Sequence, residues 1–240
     1  MSHYRFFVSP NSIKDKKFIS SDKSLINQIK NVFRLKNKNT VSILDNSGFE
    51  YEVKLKEIGR ELIEGVVVNR KLNNNELNIK IDLYCSLLKR DNFELVLQKC
   101  TELGINSFNP VIFDNTIVKR SEKKNRWDKI IKEASEQSMR GRLPALRKPM
   151  EFREILEKVE NKFNLVADEK SFNRIADREK RVKNFKSINV FIGSEGGFSN
   201  NERDFMKKNG FLFFNLGKTI LRSETAAILG VGILVEFMVK

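Results

Sequence analysis

Ile192-Gly193-Ser194-Glu195-Gly196-Gly197-Phe198-Ser199 and Leu216-Gly217-Lys218-Thr219-Ile220-Leu221-Arg222-Ser223-Glu224-Thr225-Ala226 each follow an apolar run near the end of this 240-residue chain. Each reads as a strand that ends in a ligand loop. Glycine lets backbone approach a ligand closely, and α/β proteins bind small molecules at the carboxyl ends of parallel strands. The first loop has no Lys-Ser/Thr pair after its glycines, so it is not a P-loop, and its spacing does not match the dinucleotide fingerprint. Two adjacent strand-end loops offering amides, carbonyls and charged groups can together enclose a ligand with an apolar body and a polar tail.

Upstream of these loops the chain alternates strand with helix. Ile79–Tyr84 alternates as a strand, and Asp91 with Glu94 three residues on reads as a capping-box start for a helix. Phe93, Val96, Leu97, Cys100 and Leu103 recur at helical spacing, and Gly104 is the expected stop. A strand at Phe108–Phe113 and a helix from about Ser121 to Arg140 follow, then strands at Phe163–Ala167, Ile188–Ile192 and Phe211–Leu216. Ser199 and Glu202 form a second capping-box pattern, and an apolar helix opens near Glu224. This order predicts an α/β domain with a mostly parallel sheet flanked by helices. In the longer helix, Trp127, Ile130, Ile131 and Ala134 make a core stripe. Glu133, Gln137 and Arg140 beside it, like Lys99 and Glu102 on the preceding helix, read first as an exposed face with local pairing.

Residues 1–72 have a different rhythm. Val41–Leu44, Phe49–Val53 and Leu62–Val68 alternate with period two, and Asp45-Asn46-Ser47-Gly48 supplies a turn, which predicts a small antiparallel barrel or sheet. The polar stretch Lys71–Glu76 reads as a linker, so the domains are expected at 1–72 and 73–240.

The formal charge is +14, with 14 basic against 8 acidic residues in 1–72 and 31 against 23 in the remainder, so the front third is the more basic per residue. Such a surplus favours a polyanionic partner through counterion release, although the Lys-, Asn-, Ile- and Phe-rich composition also reflects a biased genome. Cys85 and Cys100 lie in apolar runs and read as core residues of a reduced compartment. No signal-peptide pattern and no charge-free apolar segment of spanning length is present, which predicts a cytoplasmic protein without a membrane partner. With His3 the only histidine, neither a His/Cys metal cluster nor a Ser/His/Asp triad is supported.

The two C-terminal segments resemble the last motifs of the SPOUT, or trefoil-knot, methyltransferases. Within that superfamily the chain is similar to the RsmE family, bacterial enzymes that methylate the 3-position nitrogen of a uridine in 16S ribosomal RNA. The resemblance runs through Arg5-Phe6-Phe7, Val32–Lys36, Leu97–Gly104, Arg120-Ser121, Arg126-Trp127 and Glu133–Ser138 with Arg140 and Pro144, and ends in both loops. It implies an N-terminal PUA-like β-barrel that helps bind RNA, and a SPOUT domain tied in a deep knot, a rare exception to ordinary chain topology. It also implies S-adenosylmethionine bound among the knot loops and a homodimer completing each site. By position, Ile192, Gly193, Glu195, Gly196, Gly197, Leu216, Gly217, Ile220, Leu221, Thr225 and Ala226 would shape the cofactor pocket. Arg222 and Glu224 would stand nearest the chemistry, and Arg5, Arg34, Lys36, Lys38, Lys99, Arg120 and Arg140 are the candidates for RNA contact. The chain departs from the family pattern at Ser194, usually proline, and at Thr219, usually arginine. It departs again at Asn27-Gln28, commonly paired histidines, and at Lys38-Asn39, commonly Gly-Asp. The alternatives are another SPOUT enzyme acting on transfer RNA or at another ring position, and an inactive RNA-binding relative.

Overall fold

The structure is a computed structural model, which describes residues 4–118, 124–159, 163–178, 182 and 184–238. The chain forms two compact units, one of Met1–Glu76 with Ser135–Leu143 and the other of Leu77–Ala134 with Pro144–Lys240.

In the first unit β1 (Arg5–Phe7), β2 (Ile13–Lys14), β3 (Lys17–Ser20), β4 (Thr40–Leu44), β5 (Phe49–Ile58) and β6 (Ile63–Leu72) form one sheet. Its strand order is β1-β4-β5-β6-β3-β2. Pairing is antiparallel except for β1, which lies parallel to β4 with Phe6 opposite Ile43. The β4–β5 turn forms where its residues predict: Asp45 Oδ1 accepts the Ser47 N–H at 3.0 Å, and Asn46 and Gly48 take φ of 67° and 93°, which Asn and Gly tolerate best. Lys71 and Leu72 continue β6, paired with Glu50 and Phe49, so the linker reading does not hold for those two residues. Phe18, Leu25, Ile29, Val41, Ile43, Val53 and Ile63 are fully buried against one face of this sheet. Each such side chain contributes about 1.5–3 kcal/mol relative to exposure. A short helix α1 (Lys23–Asn27) is capped by Asp22, whose carboxylate accepts the Ser24 N–H at 2.8 Å.

The second unit contains β7 (Lys80–Ser86), β8 (Ser107–Ile112), β9 (Ala145–Leu146), β10 (Met150–Glu151), β11 (Phe163–Ala167), β12 (Ser187–Ile192) and β13 (Leu212–Phe214). Every described pairing among them is parallel, in the order β10-β8-β7-β12-β11-β13 with β9 beside β8. Helices α2 (Arg90–Glu102), α3 (Lys124–Gln137), α4 (Phe152–Val159), α5 (Asn200–Lys208) and α6 (Ser223–Met238) complete the order, the last three residues of α3 counting with the first unit. Alternation along the strands sorts side chains into two cores. Leu83, Cys85, Val190 and Ile192 join Val96 and Leu97 of α2 and Ala227 and Val231 of α6, whereas Tyr84, Phe191 and Val166 join Phe152 and Ile155 of α4 and Met206 of α5. A sheet covered on both faces buries polar strand residues too, and these pair with one another: Ser107 Oγ donates to Asp82 Oδ1 at 2.6 Å and Asn189 Nδ2 to Asn164 Oδ1 at 2.7 Å.

Two local expectations are corrected. The Asp91–Glu94 capping box does not form: α2 starts at Arg90, and Glu94 instead takes Arg126 through two contacts of 2.6 and 2.7 Å, a bidentate ion pair stronger than a bond to one backbone N–H. Arg140 does not extend the exposed face of α3, because the helix stops at Gln137 and the Arg140 side chain turns inward. Cys85 and Cys100 are both buried, and burial pushes their thiols up, so they stay protonated and inert.

Candidate functional site

The cleft of interest lies at the carboxyl ends of β11, β12 and β13, at one side of the switch in strand order between β7 and β12. After Ile192 the chain makes a tight turn closed by Gly197 N–H donating to the Ser194 carbonyl at 2.9 Å. A Cβ on Gly193 would stand 3.2 Å from the Gly197 carbonyl carbon and 3.3 Å from Phe198, and Gly197 has φ +65°, so a side chain would crowd the turn at the first position and strain the backbone at the second.

This turn is clasped from the side by the segment after β8. Ser194 Oγ donates to the Asn115 carbonyl at 2.9 Å, and Asn115 Nδ2 donates back to the Gly196 and Gly197 carbonyls at 3.0 and 3.4 Å. Ser194 thus holds the turn through a side-chain hydrogen bond. The Ser199–Glu202 capping box forms as predicted, with Ser199 N–H to Glu202 Oε2 at 2.8 Å and Glu202 N–H to Ser199 Oγ at 3.2 Å. Glu202 Oε1 also accepts the Asp114 N–H at 2.9 Å, so one carboxylate fixes α5 and the β8 segment together.

Behind the turn, Arg203 of α5 donates through Nε to Asp168 Oδ2 at 2.6 Å, through Nη2 to Asp168 Oδ1 at 3.4 Å and through Nη1 to the Phe198 carbonyl. Burial opposes ionisation of Asp168, but the Arg203 hydrogen bond, with the Lys170 N–H, outweighs it and holds the carboxyl below its usual range. Opposite stands the loop after β13. Gly217 has φ +151° with nothing within 4 Å of the point a Cβ would occupy, and Ile220 is 85% exposed.

Of the expected cofactor residues, Ile192, Gly193, Gly197, Leu216, Gly217, Ile220, Leu221 and Ala226 line this one cleft. Glu195, Gly196 and Thr225 do not. All three are exposed, and the Gly196 carbonyl is held by Asn115 on the far side of the turn. The two glycine loops are also not neighbours, since β11 lies between β12 and β13. Its end therefore supplies a third wall, Ala167-Asp168-Glu169, that sequence reading missed, together with Phe198, Asn215 and Ser223. Arg222 is exposed just before α6, and Glu224, in the first turn of that helix, is 7% exposed, with Oε2 buried and unpartnered among the described residues.

The lining has apolar walls in Ile192, Phe198, Leu216 and Leu221, turn backbone at Gly193 and Gly197, and two carboxylates at Asp168 and Glu169. That donor set suits a ligand with a flat apolar body, hydroxyls and positive charge. The cavity volume is about 70 Å³, below the ~300–1,000 Å³ of ordinary ligand pockets.

The cations expected to meet RNA separate into distinct groups. Arg5 and Arg140 are withdrawn. Arg5 is 7% exposed, with Nη1 on Glu50 Oε1 at 2.7 Å and Nη2 donating to the Arg140 carbonyl at 3.1 Å, while Arg140, 4% exposed, pairs with Glu76 at 2.8 Å. Turning Arg5 toward a phosphate would take the nearest charge partner from buried Glu50, at a cost of about 3–5 kcal/mol, whereas Glu76 would keep the Gly141 and Arg142 N–H donors at 2.9 and 3.0 Å. Burial of Glu50 raises its pKa, but the Arg5 and Ser42 hydrogen bonds outweigh this and hold it below the usual range. Lys99 is held by Glu102 at 3.0 and 3.2 Å, and Arg120 lies outside the described residues. Arg34, Lys36 and Lys38 are exposed on a loop whose backbone is tied by Leu35 N–H to Ile29 O (2.8 Å), Lys36 N–H to Asn39 Oδ1 (2.7 Å) and Lys38 N–H to Leu55 O (2.8 Å). A groove in the same unit is lined by Lys23, Lys30, Arg60 and Glu61 with Asn27 and Asn31.

Among the described residues no group of three His, Cys, Asp or Glu could hold a metal ion, and no described helix is long and apolar enough to cross a membrane. Residues 75–235 match a family described as an RNA methyltransferase domain. The chain is 34% identical over 230 residues to the ribosomal RNA small subunit methyltransferase E of Mesomycoplasma hyopneumoniae (strain 232), covering 94% of this chain and 96% of that one. The protein of the same name from Bacillus subtilis (strain 168) is 28% identical over 243 residues, covering 95% and 93%. A crystal structure of a ribosomal RNA small subunit methyltransferase E from Neisseria gonorrhoeae bound to S-adenosyl methionine matches with a TM-score of 0.88 at 26% identity, over 97% and 96% of the two chains. A match of this extent, on a parallel-sheet unit whose glycine turn and second loop wall one strand-end cleft, shows that the chain belongs to the ribosomal RNA small subunit methyltransferase E family.

Proposed function

We propose that this chain transfers a methyl group from S-adenosylmethionine to N3 of a uridine in 16S ribosomal RNA. The observation that carries the reading is the convergence of both glycine loops on one cleft with apolar walls and a carboxylate end, in a chain that matches its relatives from end to end. When bound there, S-adenosylmethionine supplies an electrophilic methyl group on a positively charged sulfur. Gly193 and Gly197 of the clasped turn would help hold the cofactor, and holding the two reactants in line would supply much of the rate.

Uridine N3 carries a proton and is a poor nucleophile until that proton leaves, and S-adenosylhomocysteine is the leaving group when the methyl is transferred. Arg222, exposed at the mouth side of α6, stabilises the negative charge that develops on the flanking carbonyl oxygens. Glu224, whose buried Oε2 has an unused acceptor site, orients Arg222 or the base. The RNA is gripped by the ordered Arg34, Lys36 and Lys38 loop, with the first unit as a PUA-like barrel. The remaining elements of the reading are a SPOUT knot at the C-terminal loops, a homodimer that completes each cleft, no metal, and a cytoplasmic location. They rest on the resemblance of the motifs.

The direct test is transfer of labelled methyl from S-adenosylmethionine into small ribosomal subunits lacking the mark. The expected product in the digested 16S RNA is 3-methyluridine. Label recovered only in transfer RNA or at another ring position would favour the other SPOUT chemistry, and no transfer would favour an inactive relative. Binding of the RNA should weaken steeply with salt, and a flat response would remove the role of the basic loop.

A further inference from the structure

The third wall of the cleft, which neither glycine loop supplies, ends in two carboxylates with different duties. Asp168 is consumed internally: Oδ2 takes Arg203 Nε at 2.6 Å, and Oδ1 takes Arg203 Nη2 at 3.4 Å and the Lys170 N–H at 3.0 Å. Glu169, next in the chain, has a side chain that is 45% exposed and lines the cleft, with Oε1 3.6 Å from Arg203 Nη2 and its carboxyl beside that of Asp168. A carboxylate has about four lone-pair sites, so acceptor sites remain beyond these contacts on a side chain that lines the cleft. Its oxygens lie 3.8 and 3.9 Å from the point where a Cβ on Gly197 would stand, beside the clasped turn. Because β11 runs between β12 and β13, this carboxylate is placed between the two glycine loops.

Resting on the cofactor reading above, we infer that Glu169 is a cofactor-specificity residue that accepts hydrogen bonds from the ribose hydroxyls of the adenosyl group. Two O–H donors on neighbouring ring carbons match the two oxygens of one carboxylate, and Glu can only accept when ionised. The same physical solution serves in doubly wound α/β sheets, where an acid beyond a strand near the glycine-rich turn holds the nucleotide's ribose. Arg203 is then a positioning residue: it holds Asp168 and the Phe198 carbonyl, and so fixes the strand end from which Glu169 projects.

The test is calorimetric binding of S-adenosylhomocysteine, its 2′-deoxy analogue and methylthioadenosine to the full chain and to Glu169→Ala, with thermal melting as a check of folding. The wild type should prefer the ribose form by about 10- to 100-fold, the worth of a charge-assisted hydrogen bond. In Glu169→Ala that preference should shrink to within about threefold while melting is unchanged. Methylthioadenosine, which keeps the diol and lacks the amino-acid end, should lose affinity in the variant to a similar extent. A ribose preference that persists in Glu169→Ala overturns the inference. A variant weakened for S-adenosylhomocysteine but not for methylthioadenosine also overturns it, by moving the carboxylate to the ammonium end. No binding of any of the three by the wild type would instead overturn the cofactor reading, and this inference with it.

Discussion

The two loops that face each other across the cleft are built in opposite ways. The Gly193–Gly197 turn is closed on itself, clasped by Asn115, tied to α5 by the Ser199–Glu202 box and backed by the buried Arg203–Asp168 pair. The Gly217–Leu221 segment has open space around Gly217 and an Ile220 that is 85% exposed. One wall is preformed and the other has room to move. A cofactor can therefore be positioned by the first and enclosed by the second, with Arg222, the proposed catalytic residue, at the end of the open loop.

The largest expected effect breaks the chemistry without touching either wall. Arg222→Ala should lower single-turnover methylation by about 10²–10³-fold, while calorimetric affinity for S-adenosylmethionine stays near wild type, because Arg222 does not line the cleft. Equal loss of both would move Arg222 from the reaction to cofactor binding.

Next comes the rigid wall. Asn115→Ala removes the donor to both glycine carbonyls, and each net hydrogen bond is worth about 0.5–1.5 kcal/mol, so cofactor affinity should fall roughly three- to tenfold. Ser194→Ala should show a smaller loss of the same kind. Ser194→Pro, which removes the hydroxyl while stiffening the turn, separates the two ways of holding it.

The Arg203–Asp168 support behind that wall has a pH signature. The folded Asp168 carboxyl titrates below its unfolded value of about 3.9. Its contribution to stability is thus fully present above pH ~4 and is lost as pH falls through the lower, folded pKa. In urea melts, the stability difference between wild type and Asp168→Asn should be constant from neutral pH down to about 4 and shrink below it. A difference that instead grows on acidification would exclude the ion pair as the support.

The smallest effect sharpens the contrast from the other side. Ile220→Ser, at an exposed position, should change stability by less than about 0.5 kcal/mol while weakening cofactor binding if the open loop closes over the ligand. A substitution silent in both measurements would show that the segment stays open.

How much of this was legible depended on sequence distance. The Ser199–Glu202 box could be read because both partners lie within one helical turn, whereas the similar Asp91–Glu94 pattern failed because Arg126, 32 residues further on, takes Glu94. The glycine positions of both loops were legible from their spacing after apolar runs. The Ala167–Glu169 wall was not, since only the strand order β12-β11-β13 brings it between them. Arg5 and Arg140 looked like free cations for the same reason. Glu50 and Glu76, which neutralise them, are 45 and 64 residues away in sequence.

The central claim is the mark itself. Mass spectrometry of digested 16S and transfer RNA from a strain lacking this chain, beside the same strain complemented with wild type or Arg222→Ala, tests it most directly. The account predicts that 3-methyluridine disappears from one site in 16S RNA, returns with the wild type and does not return with Arg222→Ala. An unchanged 16S RNA, or a methyl group missing only from transfer RNA, would contradict it.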